Sequence, residues 1–250
     1  MIVTALRAQS INPVSVPPMA PTDVQDSLCE YAAAATYRML TGCEAAEAAI
    51  EEDEHFDRHV FASILAVAAT ESRAVAERAG LSADDFGALI VQWFPLARDF
   101  FAARCPQVSQ AEDDEVAMVR DLLLAQRSSE GDAGRWLAAM VARRAVEPNH
   151  LWEDLGLRDR SELTRLLARH FGPLASRNTR NMRWKRFFYR MLCEDDGLVM
   201  CSTPVCTNCN DFNICFGDES GESRMADRRR EASLQAARSE PVALLSRLPE

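Results

Sequence analysis

The 250-residue chain is predicted to be all-α: a helical, bundle-like domain, then a cysteine-rich metal-cluster loop, then a flexible polar tail. Three observations lead there. From about Ser27 to Ala145, Ala, Leu, Glu and Arg dominate, and the alternation of a half-buried strand is missing. Apolar residues recur at helical spacing between capping and breaking residues. Four of the eight cysteines crowd into Cys201–Cys215, while Cys29, Cys43, Cys105 and Cys193 are scattered.

The elements follow in order. Residues 1–25 read as a disordered lead-in, with Pro13, Pro17 and Pro18 and only Arg7 as a basic residue near the start. This stretch lacks the charged start, apolar core and cleavage site of a secretory signal, so a cytoplasmic protein with reduced thiols is expected. The helical domain is placed at 26–192. In it, Ser82 precedes Asp85 as a variant capping box, and Phe86, Leu89, Ile90, Trp93 and Phe94 form one helix face that Pro95 should end. Asp132 is placed to cap a helix burying Trp136, Leu137, Met140 and Val141. Ser161 is placed to cap one burying Leu163, Leu166 and Leu167, with Gly172 and Pro173 as its stop. A last helix is expected from Asn178 to Cys193, with Trp184, Phe187, Phe188 and Met191 as its apolar stripe. Residues 193–219 hold the cysteine segment. Residues 220–250 form an Arg- and Ala-rich tail with a marginal helix around Ala226 to Ala237.

The cysteine segment carries the chemistry. Cys201, Cys206, Cys209 and Cys215 are spaced C-x4-C-x2-C-x5-C. Thiolate is a soft ligand, and four in one loop select zinc, copper(I) or an iron–sulfur cluster. Structural zinc sites usually join two close cysteine pairs across a long spacer, which is missing here. The first three cysteines share the C-x4-C-x2-C spacing of plant-type ferredoxins, where one loop wraps a cluster. Pro204, Asn208, Asn210 and Asn213 favour such a curl. Iron–sulfur is the preferred reading and zinc the standing alternative.

Charge and composition narrow the classes further. A net charge of −10 and a pI near 5.0 argue against nucleic acid as the partner of the whole protein. No apolar run reaches the ~18–20 residues that cross a bilayer. No phosphate loop, G-x-S-x-G or H-E-x-x-H points to an ordinary enzyme. Within this acidic chain, Arg183, Arg186 and Arg190 share one helix face, and Arg177, Arg180 and Lys185 extend the patch. The plain reading is a solvated face; the sharper one is docking of an oxyanion or an acidic partner. Cys193 reads either as a buried core thiol or as a fifth ligand. His55 and His59 lie at i, i+4, a metal-compatible spacing, but beside Glu51 to Glu54 they read as surface helix residues, with a metal pair as the lesser alternative. His150 is placed to order the turn before Leu151, and His170 ends a helix, where a cation suits the dipole. His150, or a carboxylate among Glu194, Asp195 and Asp196, is also a candidate oxygen or nitrogen ligand for a metal held by the cysteine segment.

Several stretches taken together carry a resemblance. They are His150-Leu-Trp152-Glu-Asp-Leu-Gly-Leu157, Arg183-Trp-Lys-Arg-Phe-Phe-Tyr-Arg190, Leu192-Cys193, the four-cysteine spacing and Cys215-Phe-Gly217. They resemble the NifQ family of nitrogen-fixation proteins, most strongly from about Arg143 to Glu219 and more loosely back to about Phe56. The resemblance implies an iron–sulfur protein that takes up molybdenum, as a molybdenum–iron–sulfur species, for the iron–molybdenum cofactor of nitrogenase. It implies Cys201, Cys206, Cys209 and Cys215 as ligands. It implies as partners a molybdate or other molybdenum source, a cofactor-assembly scaffold complex and the nitrogenase iron protein. A donor fits this chemistry: molybdate is a dianion of hard oxygens that must be reduced and moved to sulfur to join a cluster. The rival readings are a stable iron–sulfur electron-transfer protein and a structural zinc module for docking.

Overall fold

A computed structural model describes residues 21–71, 75–102 and 113–195, with side chains over 31–71, 75–102 and 113–192. Among the described residues every regular element is helical. Helix α1 spans Pro21–Thr41, beginning inside the stretch read as a lead-in, and α2 spans Asp53–Ala68. Short α3 (Val75–Arg78) leads to α4 (Ala83–Trp93) and α5 (Arg98–Ala102). Next come α6 (Asp114–Ala125), α7 (Asp132–Ala145), short α8 (Leu151–Asp154), α9 (Arg160–His170), short α10 (Gly172–Ala175) and α11 (Trp184–Asp195). The pairs α1–α2 and α6–α7 pack most extensively. The helices enclose a core in which Phe56, Phe61, Leu89, Trp136, Leu137, Phe171 and Phe188 are almost wholly buried.

The helix boundaries test the expected caps. Ser82 caps α4 by accepting from Asp85 N, and α4 ends before Pro95, both as expected. The Trp136 and Leu163 stripes are buried as expected, but their caps differ. Gly131, not Asp132, precedes α7; Asp132 is its first residue and pairs with Arg135 at 3.0 Å. An acid in the first turn suits the helix dipole without capping it. For α9 the cap is Asp159, whose Oδ1 accepts from Ser161 N at 2.7 Å and Glu162 N at 3.2 Å. Ser161 is inside the helix and donates its hydroxyl to that carboxylate. Gly172 and Pro173 do not simply stop α9; they open α10, since proline is tolerated in a first turn. Residues 178–183 are a loop, not the start of α11. There Asn178 bonds Met182 N and Met182 O, and Asn181 takes a φ of 53°. The span from Ser27 to Ala145 is not continuously helical: α1 stops at Gly42, whose φ of 84° breaks the helix.

Buried polar groups tie α2 to α9. His59, 2% exposed, receives a hydrogen bond from Tyr37 Oη on Nδ1 at 2.6 Å and meets Glu162 through Nε2 at 3.1 Å. This places the Nε2 proton toward the carboxylate when the ring is neutral. His170 Nε2 meets Asp57 at 2.9 Å, so each helix contributes one histidine and one carboxylate. Arg169 grips both oxygens of Asp57 at 2.9 Å, and Arg165 and Arg169 both pair with Asp53 in the acidic run. His59 is therefore no surface residue, and the i, i+4 histidines do not act together: His55 is exposed while His59 is in the core.

These contacts set an acid limit. Burial alone would raise the Glu162 pKa, but the bonds from His59 and the Arg158 backbone outweigh it and hold Glu162 down at about 2. Asp57 is likewise lowered: burial opposes, and the His170 and Arg169 bonds prevail. A depressed carboxylate contributes stability above its unfolded pKa of about 4.3 and loses it as pH falls toward its folded value. Wild-type stability is thus expected to fall between about pH 4.5 and pH 2, by up to about 3 kcal/mol from Glu162. Glu162→Gln is expected to lower stability at pH 7 and to flatten that acid limb in thermal melts taken across the window.

Candidate functional site

The site is approached along α11. The apolar face of this helix, Trp184, Phe187, Phe188 and Met191, is buried at 5% exposure or less. Trp184 packs edge-on to Phe187 with centroids 5.7 Å apart. The stripe read from spacing is therefore the docking face of the helix. Trp184 Nε1 reaches Thr164 Oγ1 of α9 at 3.4 Å, and Tyr189 Oη donates to Glu115 of α6. Burial, with that bond to an acceptor carboxylate, pushes the Tyr189 hydroxyl well above the ordinary tyrosine range, so it stays protonated.

The predicted basic face is partly redrawn. Arg183 directly precedes α11 and is half-buried, Arg186 is exposed, and Arg190 is half-buried. Their i, i+3, i+7 spacing keeps them on one face, and Arg186 lies within electrostatic reach of Tyr189. Lys185 does not belong to this patch. Its Nζ turns inward to Asp154 Oδ2 at 2.6 Å and to the carbonyl of Glu147. Asp154 lies in the His150–Leu157 stretch, so two stretches quoted above for their family resemblance meet here.

His150 caps α8 in a capping box with Glu153, and its backbone N–H donates to Glu153 Oε2 at 3.1 Å. Arg144 of α7 is 1% exposed and pairs with Glu71 at 2.7 Å. Burial draws its pKa down to about 10, still charged at neutral pH. Glu71 also pairs with Arg78, and Glu147 pairs with Arg143 at 2.8 Å and Arg78 at 3.5 Å. These five charges alternate in sign along the junction of α2, α3 and α7. Local spacing marks only the i, i+4 pair of Arg143 with Glu147; the contacts of Arg144 with Glu71 and of Arg78 with Glu147 are long-range and leave no mark on it.

Cys201, Cys206, Cys209 and Cys215 lie outside the described residues, as do Asp196 and the tail helix expected at 226–237. Cys193, Glu194 and Asp195 are in the last turn of α11, and their side chains are likewise outside. Among the described residues no group of three or more His, Cys, Asp or Glu is placed to hold a metal ion. Also among them, no helix is long and apolar enough to cross a membrane. Four soft cysteine sulfurs in one short run are a donor set that fits iron–sulfur chemistry.

Fold and cysteine spacing together define a protein that is helical over its described residues, with a four-cysteine segment beyond its last described helix. The NifQ family model matches residues 60–217, more than half of the 250 residues and the whole cysteine run. The chain belongs to the NifQ family. It is 43% identical over 173 residues to the "Protein NifQ homolog" of Sinorhizobium fredii, covering 67% of this chain and 75% of that one. It is 39% identical over 143 residues to "Protein NifQ" of Azotobacter vinelandii, covering 57% and 69%. It is 39% identical over 148 residues to "Protein NifQ" of Rhodobacter capsulatus, covering 57% and 77%. No solved structure matches the chain. The family gives it an accessory role in nitrogen fixation, on the molybdenum side of nitrogenase cofactor biosynthesis.

Proposed function

We propose that the chain is an iron–sulfur metal carrier that takes up molybdenum and donates it for assembly of the nitrogenase iron–molybdenum cofactor. The observation that carries the reading is the run Cys201, Cys206, Cys209 and Cys215, which lies inside the matched span 60–217. In this reading residues 193–219 are the cluster-binding segment and those four thiolates hold iron. Cys193 is the fifth thiol, available when a metal departs. Molybdenum is the cargo. It arrives as an oxyanion, and the basic face of Arg183, Arg186 and Arg190 attracts it or docks an acidic partner. The recipients are a cofactor-assembly scaffold complex and the nitrogenase iron protein, and the setting is the cytoplasm. The protein hands metal on and turns over no substrate.

The test is elemental analysis of anaerobically purified wild type and Cys206→Ala for iron, molybdenum, zinc and sulfide. Iron, sulfide and molybdenum in the wild type, all lost in the variant, are expected. Zinc alone, at about one per chain, would replace the carrier with a structural zinc module. Iron and sulfide that persist while no molybdenum ever leaves for an acceptor would make it an electron-transfer protein.

A further inference from the structure

The cysteine run begins at Cys201, shortly beyond Asp195, the last residue of α11. Whatever fixes α11 along and about its axis therefore fixes the point, Asp195, from which the chain continues toward that run. The apolar stripe of Trp184, Phe187, Phe188 and Met191 holds the helix down but specifies its register weakly, because apolar contact is non-directional. A buried charged pair differs. Its partners have one good geometry, and any slip leaves a charge unpaired away from water.

Lys185 and Asp154 are such a pair. Asp154 is 4% exposed at the side chain and Lys185 18%, and they meet at 2.6 Å. Asp154 is held in turn by Asn149 Nδ2 at 2.9 Å. Lys185 also donates to the carbonyl of Glu147, just past the end of α7. The lysine thus joins the first turn of α11 to α8 and to the end of α7. The other polar ties of α11 given above are weaker locks: the Trp184–Thr164 bond is long at 3.4 Å, and the Tyr189–Glu115 bond joins a half-buried hydroxyl to an exposed carboxylate that water can replace.

We propose that Lys185 and Asp154 are positioning residues that lock the register of α11, and through it the presentation of the cysteine segment. The link to metal rests on the carrier reading above; the lock itself does not. A registering ion pair has a distinctive signature. Replacing both partners by apolar residues of similar size leaves global stability nearly unchanged but removes the preference for one register.

The experiment is the double variant Lys185→Met with Asp154→Leu, made in the full chain. In metal-free protein, Tm is expected to stay within a few degrees of wild type. The Trp184 indole N–H resonance, assigned by its loss in Trp184→Phe, should split or broaden. In anaerobically loaded protein, iron should pass to a chelator roughly tenfold faster, the effect of about 1.4 kcal/mol. A single sharp indole signal with wild-type iron release would overturn the proposal. If wild type and Cys206→Ala hold no iron alike, the carrier reading fails and the indole signal alone decides the lock. If the apolar pair does not fold, Lys185→Gln replaces it. There a split signal supports the lock and an unchanged one overturns it.

Discussion

Gly156→Ala is expected to cost about 2–4 kcal/mol, adding left-handed backbone strain to overpacking. Gly156 sits at φ 71° in the turn after α8, and a Cβ there would lie 2.6 Å from Val67 Cγ2 and 2.9 Å from Ser63 O, both on α2. The first contact can relax, because it is a side chain. The second cannot, because it is helical backbone. Tm should fall by roughly 5–15 °C in a chain of this size. Adding Val67→Ala should return part of the loss but not all of it, since strain and the Ser63 clash persist. A Gly156→Ala melt matching wild type would mean that the α8 turn does not sit against α2. The same turn follows Asp154, so the variant should also disturb the seat of Lys185.

Phe188→Ala is expected to cost about 3–5 kcal/mol, the transfer and cavity cost of a fully buried phenylalanine. Phe188 is 0% exposed, with the Trp184 ring centroid 6.2 Å away. Urea unfolding followed by tryptophan fluorescence should show the midpoint falling, and Phe188→Leu should recover more than half. Local hydrogen exchange should rise most within α11, because that helix loses the centre of its docking face. An equal rise across α6, α7 and α11 would mean that α11 is an integral part of the core and does not open alone.

The sequence was most readable where structure is local. The stripe of α11, the Ser82 cap, the stop at Pro95 and the His150 turn all follow from spacing within a few residues. Adjacent choices were harder. Asp159 rather than Ser161 caps α9, because two good capping residues stand two apart and only the backbone path decides between them. Long-range charge was not readable at all. Lys185 reads as one more cation in an arginine-rich stretch, yet its partner lies 31 residues earlier. His59 reads as a surface histidine beside acids, yet its carboxylate lies 103 residues later. For the cysteine run the position is reversed. Its chemistry is legible in the spacing of four soft donors, while its placement lies outside the described residues.

The paired clamp between α2 and α9 also bears on how the chain reaches this fold. Its two histidine–carboxylate contacts span 103 and 113 residues, whereas α6 and α7 meet across one short turn. Closing so long a loop costs entropy that local hairpins avoid, so α9 should dock late, onto helices already paired. Until it arrives, His59 and Asp57 can keep water as their partner. Once it arrives, each must find its counterpart or remain buried and unpaired. A wrongly seated α9 is thus penalised at two points at once. Assembly of the N-terminal helices with the C-terminal ones should proceed as a single committed step, completed only after the segment bearing α9 has been synthesised.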